Sequence, residues 1–224
     1  MKRLCTICAV FVVIALLIAR YAPEDSPSAD GESHAWETGV AAAAAASGDY
    51  LLLVNADNPL TDGAPDFEIV SAYRVVPLLN RNIELEAGTL GALALLFRGA
   101  RDAGIENLVV NDGYRSRAEQ QRIYDATEDK AFVQPPDCSE HQTGLAADIA
   151  ARGVDRDEMA GSAEGQWLAE NAWKYGFILR YPPDKIDITG ISYEPWHFRY
   201  VGTEAAKYMF ENGLCLEEYV DKSD

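Results

Sequence analysis

The sequence predicts an α+β domain: a small, mainly antiparallel sheet flanked by helices. Three observations carry this. Short apolar runs of strand length interleave with amphipathic helical stretches. They return hairpin-fashion rather than in a strict βαβ rhythm. The 224-residue chain is 48% hydrophobic, enough for one sizeable core, and shows no internal repeat. The domain is expected over residues 49–224, behind a membrane-directed segment (residues 1–20) and a tether (residues 21–48).

The elements follow in chain order. Lys2 and Arg3 precede sixteen largely apolar residues, Leu4 to Ala19, and Arg20 closes the run. A basic flank followed by an apolar stretch is the pattern of an export signal. At 1.5 Å per residue, such a helix reaches only ~24 Å, short of a comfortable bilayer span. No clean small-x-small cleavage site follows, which favours an uncleaved signal anchor over a cleaved signal peptide. The basic end stays in the cytoplasm and the domain is exported. Residues 21–48 are rich in Pro, Ser, Asp, Glu and Ala. They are expected to form a disordered tether in which His34 is solvated.

"YLLLVNADNPL", from Tyr50, reads as a strand or extended segment entering a loop. Glu86 to Gly104 reads as a helix with Leu90, Leu93, Phe97 and Ala100 inward and Gly104 as its stop. "NLVVND" is a short strand. Ser116 with Glu119 makes a capping-box start for a helix to Ala126. The "GYRS" loop before it presents Arg115. "QPPDCSEH" is a loop. In "GLAADIA" the period is two, so Leu145, Ala147 and Ile149 point one way and Asp148 the other. "SAEGQWLAENAWKYG" is a helix burying Trp167, Leu168, Ala172 and Tyr175, stopped by Gly176. "FILRY" and "YEPWHFRYV" are strands. "TEAAKYMFENG" is a last helix, capped by Thr203 and closed by Gly213.

A net charge of -17 argues against a nucleic-acid partner, whose phosphates need Lys and Arg. Of the four cysteines, Cys5 and Cys8 lie in the export segment. Cys138 and Cys215 lie in the exported part, either as a disulfide or as two free thiols.

The chemistry centres on few residues. The domain has two of the chain's three histidines, His141 and His197. His141 sits just before the strand that carries Asp148, where the chain can fold it back beside that carboxylate. Glu194 precedes His197 by three residues. Two neutral imidazoles and a carboxylate are a catalytic zinc set that leaves a coordination position for water. A further carboxylate must then move the proton, and Glu194 is the candidate. His2Asp alone is a weak signal, because non-haem iron oxygenases use the same ligand types. There the His and carboxylate usually lie two apart on a jelly roll; this chain has a wider spacing, too few strands and the extra Glu194.

"SEHQTGLAADI" followed by "YEPWHFRYVG" resembles the zinc D,D-carboxypeptidases of the VanY type, with the S-x-H-x-x-G-x-A-x-D and E-x-W-H signatures intact. "LLLVNADNPL", "GYRS" with Gln120, and "GFILRYPPDKIDITGISYEPWHFRYVG" match the same family, so the resemblance runs from about Tyr50 to Gly213. It implies the small α+β fold shared with VanX dipeptidases and the Hedgehog signalling domain. It implies Zn2+ held by His141, Asp148 and His197, with Glu194 as catalytic base. Arg115 would polarise the scissile carbonyl and steady the oxyanion. Gln120, Ser139 and, more weakly, Tyr181 would contact the substrate. Trp196 and Trp173 are expected in the core. The implied activity is removal of the C-terminal D-alanine from peptidoglycan stem peptides by a monomeric domain at the outer cell surface, attached to the membrane through its N-terminal segment. An L,D-carboxypeptidase acting on tetrapeptide stems shares the same machinery. A dipeptidase fits an exported protein less well. A zinc-containing wall-binding module without turnover would not need Glu194 and Arg115.

Overall fold

The computed structural model describes residues 50–222. The expected membrane-directed segment and the whole tether, His34 included, lie outside the described residues. Among the described residues no helix is long and apolar enough to cross a membrane.

A two-stranded antiparallel ribbon, β1 (Ile69–Ser71) and β2 (Glu84–Glu86), leads into helix α1 (Ala87–Asp102). Then come β3 (Leu108–Asp112), α2 (Arg117–Ala126), β4 (Ala146–Ala151), α3 (Ala163–Asn171) and β5 (Phe177–Leu179). The short α4 (Ile186–Thr189), β6 (His197–Tyr200), α5 (Thr203–Asn212) and α6 (Leu216–Asp221) complete the order. The main sheet is ordered β3-β4-β6-β5, and every pair is antiparallel.

Local chemistry explains the elements that carry the site. Glu86 caps α1: its carboxylate accepts from the backbone N–H groups of Gly88 and Thr89. Leu90, Leu93, Leu96 and Phe97 recur at helical spacing and share one core with Val110, Ala147, Ile149 and Phe198 of the sheet. Ser116 caps α2 by accepting from the Glu119 N–H. A smaller cluster, Ile178, Val201, Ala206, Met209 and Leu216, seats α5 and α6.

Several expectations change. Of the two readings of the Tyr50 run, strand or extended segment entering a loop, the strand falls: the run is irregular backbone, with Val54 fully buried. The helix ending at Gly176 breaks into α3 and a 3-10 turn, Ala172–Tyr175, which leaves Trp167 and Tyr175 half-buried. The strand around His197 starts only at His197, because Pro195 cannot donate to a sheet ladder. Helix α5 is capped by Gly202 at φ 82°, with no side-chain bond from Thr203. Cys138 and Cys215 are both free and buried, so the disulfide alternative falls.

Candidate metal centre and cleft

Strand register builds the centre. In β4, Ala147 and Ile149 are fully buried, while Asp148 and Ala150 are half-buried on the other face. Asp148 stands directly opposite His197 of β6, so the two side chains share a face. His141 arrives from a 3-10 turn, Glu140–Thr143, that packs against β4. That turn reverses at Gly144, whose φ of 74° favours glycine; a Cβ there would lie 2.8 Å from the Glu86 nitrogen. Gly113 follows an irregularity in β3 between Val110 and Asp112. Its carbonyl accepts from His141 Nδ1 at 2.6 Å. A Cβ at Gly113 would lie 2.4 Å from the Glu84 carbonyl oxygen.

His141 Nε2 lies 3.4 Å and His197 Nδ1 3.1 Å from the same oxygen, Asp148 Oδ1. One donor atom from each of the three residues lies within 4.8 Å of the other two. Ligands bonded at ~2.1 Å to one tetrahedral ion stand ~3.4 Å apart, so the set fits a cation such as zinc. A second observation agrees. His141 Nε2 and Asp148 Oδ1 are buried without a hydrogen-bond partner. Buried polar atoms are rarely left unpaired, and a shared cation would satisfy both. The far nitrogens are already engaged: His141 Nδ1 on Gly113, and His197 Nε2 at 3.4 Å from Glu140 Oε2. Such partners fix the tautomers and leave the inner nitrogens free to ligate.

The surroundings attract positive charge. Burial pushes the Asp148 carboxyl up, but His141 and His197 outweigh it and hold it well below the usual carboxylate range. Burial alone would lower His197, yet the neighbouring carboxylates of Asp148 and Glu140 push it up to about 9.

Glu140 was not singled out by the sequence. It is buried and accepts from Arg180 Nε at 2.7 Å and Arg199 Nη1 at 2.9 Å. Burial would raise its pKa, but the two guanidiniums and His197 keep it well below the usual carboxylate range. Arg180 also grips Glu217 in a two-pronged bond at 2.9 and 2.7 Å, and Asn55 Nδ2 donates to Glu217 at 3.1 Å. Arg199 donates to the Tyr50 and Leu52 carbonyls, each at 2.9 Å. The available signal was an arginine inside each of two apolar strand runs, "FILRY" and "HFRYV".

Glu194 Oε2 lies 3.7 Å from His197 Nδ1. Burial is the largest influence on Glu194 and, despite His197, pushes it up to about 7. Arg115 donates from Nη1 to Gln120 Oε1 at 2.7 Å. Its Nε lies 3.1 Å from Asp112 Oδ2 and its Nη2 3.8 Å from Asp148 Oδ2. Gln120 is buried, and its Nε2 donates to the Gln134 carbonyl at 2.6 Å. Each end of that amide makes one bond and keeps capacity for a second. Ser139 is buried in the cleft wall and makes no capping bond. The buried Tyr181 ring packs 4.9 Å from that of His197. Glu194, Arg115, Gln120, Ser139 and Tyr181 line one cleft of about 420 Å³ with the metal-centre residues. Trp196, expected in the core, is half-buried and lines the cleft too. Trp173 stacks on Phe210, 5.2 Å between ring centroids, beside the second cluster.

A family profile described as VanY, D-alanyl-D-alanine carboxypeptidase, matches residues 82–203. A D-alanyl-D-alanine carboxypeptidase of Enterococcus faecalis is 36% identical, over 96% of this chain and 86% of its own. Another, of Enterococcus faecium, is 37% identical over 76% of this chain, which spans 57% of that relative's length. Among solved structures, a zinc complex of a mutant vancomycin-resistance D,D-pentapeptidase, VanY, superposes with a TM-score of 0.62 at 37% identity, covering 77% of this chain and 99% of that one. The LD-carboxypeptidase LdcB gives a TM-score of 0.68 at 38% identity, covering 76% and 85%.

Proposed function

The chain belongs to the VanY family of D-alanyl-D-alanine carboxypeptidases, and on that premise we propose that it hydrolyses the C-terminal D-alanine from peptidoglycan stem peptides outside the cytoplasm. Residues 49–224 form the catalytic unit. The apolar segment Leu4 to Ala19 directs export and holds the domain at the membrane. The observation that carries the activity is the convergence of His141, Asp148 and His197 in a cleft that also presents Glu194 and Arg115.

Zinc held by His141, Asp148 and His197 supplies Lewis acidity at the scissile carbonyl and lowers the pKa of attacking water. The protein supplies the rest. Glu194, beside the inner nitrogen of His197, accepts the water's proton and returns it to the departing D-alanine amine. Arg115 donates to the carbonyl oxygen as negative charge gathers there. Asp112 and Gln120 hold that guanidinium in place, so little reorganisation accompanies the step. Ser139 and Tyr181, at the cleft wall, contact the substrate's C-terminal residue.

The likeness to LdcB favours a second activity: removal of D-alanine from a tetrapeptide stem. One experiment separates the two. Purified protein is offered pentapeptide and tetrapeptide stems, with and without a chelator, and the products are weighed. Loss of one D-alanine from the pentapeptide alone, abolished by chelation, supports the D,D activity. Cleavage of the tetrapeptide supports the second, and chelator-resistant cleavage refutes both.

A further inference from the structure

Resting on that carboxypeptidase assignment and extending it, we propose that Arg156 forms a subsite for a carboxylate carried by the substrate upstream of the scissile bond. Arg156 opens the 3-10 turn Arg156–Gly161 after β4, is exposed, and lines the same cleft as His141, Arg115 and Glu194. Its guanidinium carbon sits 3.8 Å from the centroid of the Trp196 ring and 5.6 Å from that of Phe132. The two rings lie 6.4 Å apart, tilted by 37°. A long side chain that would otherwise sample many rotamers is thereby laid against an aromatic wall. The cation lies over the Trp196 ring and within reach of Phe132, on a cleft wall where its N–H groups can meet a ligand.

The charge pattern asks for an anion there. Arg115, Arg117, Arg180 and Arg199 each meet a carboxylate. Arg156 makes no ion pair among the described residues, although its charge acts on Glu194 across the cleft and its neighbour Asp155 lines the cleft as well. Arg115 is committed to Asp112 and Gln120 beside the reacting bond. Arg156 is a second cation on the wall, in a chain whose net charge of -17 otherwise repels anions. Ala150 of β4 and Asn111 of β3 line the same cleft as Asp148 and Arg156. A peptide whose last residue occupies the reacting end has its earlier residues to place along that cleft. A stem peptide can present a carboxylate there from an isoglutamate second residue or from a diamino dicarboxylic acid at the third. The chemistry is shared, and the test distinguishes the two sources.

Three pentapeptide stems are compared: both upstream carboxylates free, the third-residue carboxylate amidated, and the second-residue carboxylate amidated. Each is assayed with zinc-loaded wild type and with Arg156→Gln. One amidation should raise KM about tenfold in the wild type with kcat within about twofold, the scale of one charge-assisted hydrogen bond in a half-open cleft. In Arg156→Gln that difference should vanish. The amidation that shows the effect identifies the residue. Equal kcat/KM for all three peptides in the wild type overturns the subsite. So does an equal loss on all three in Arg156→Gln, which would mean that the guanidinium only props Trp196 or tunes Glu194. If zinc-loaded protein cleaves none of them, the D,D-carboxypeptidase assignment fails. Calorimetric binding of the same peptides then decides the subsite alone: selective weakening by one amidation, lost in Arg156→Gln, supports it, and equal Kd values overturn it.

Discussion

Replacing Glu140 by glutamine keeps the side-chain shape and removes one negative charge from between two buried guanidiniums. Arg180 retains its two-pronged bond to Glu217. Arg199 retains only backbone carbonyls, those of Tyr50, Leu52 and Tyr200. Removing one partner of a buried pair costs about 3–5 kcal/mol. The glutamine oxygen still accepts one bond and recovers about 1 kcal/mol, so Glu140→Gln should lower stability by roughly 2–4 kcal/mol. His197 loses the carboxylate on its outer nitrogen, and loss of such a partner weakens metal binding by about 10–100-fold. Urea unfolding of the zinc-loaded protein reads the first effect, and competition with a chromophoric chelator reads the second. Glu217→Gln is the control. It strips charge from Arg180 on the side away from His197, so stability should fall while zinc affinity stays within about threefold. Wild-type zinc affinity in Glu140→Gln, or an equal loss in both variants, would show that Glu140 does not orient His197.

Three further outcomes are expected. Glu194→Gln should keep stoichiometric zinc by elemental analysis yet lose about 10²–10⁴-fold in kcat; near-normal turnover removes Glu194 from the proton path. A protonated carboxyl cannot accept the water's proton, so kcat/KM should fall as pH drops through the Glu194 pKa. Burial pushes that value up to about 7, and a bound dication draws the midpoint lower; a rate that climbs on acidification contradicts the assignment. Arg115→Met should cost about 10²–10³-fold in kcat, and a change confined to KM would mean that Arg115 serves binding alone. Gly144→Ala places a Cβ at φ 74° and 2.8 Å from the Glu86 nitrogen; it should destabilise by about 1–3 kcal/mol, seen as a lower Tm, and an unchanged Tm refutes the strain argument.

The metal centre was readable because its residue types cannot be exchanged freely. His141, Asp148 and His197 stand in two signatures, and the period-two pattern of "GLAADIA" already turned Asp148 away from Ala147 and Ile149. The main helices were readable too, since α1 and α2 carry their own caps and apolar spacing. The misses have physical reasons. Strands β1 and β2 span three residues each, too short for a period to emerge. Gly202, not Thr203, caps α5, at a positive φ of 82° that composition does not reveal. Glu140 resembles a solvated loop acid until Arg180 and Arg199, forty and fifty-nine residues away, are folded onto it. Cys138 and Cys215 could be weighed as a pair only by their compartment, and both are free thiols in the fold.

Asp148 and His197 face each other in only one alignment of β4 with β6. A slip of one residue would point Asp148 inward and present Ala147 in its stead. A mispaired sheet therefore has no site to load. Stoichiometric zinc uptake by a refolded preparation would count the molecules whose strands have found their proper neighbours, before any substrate is added.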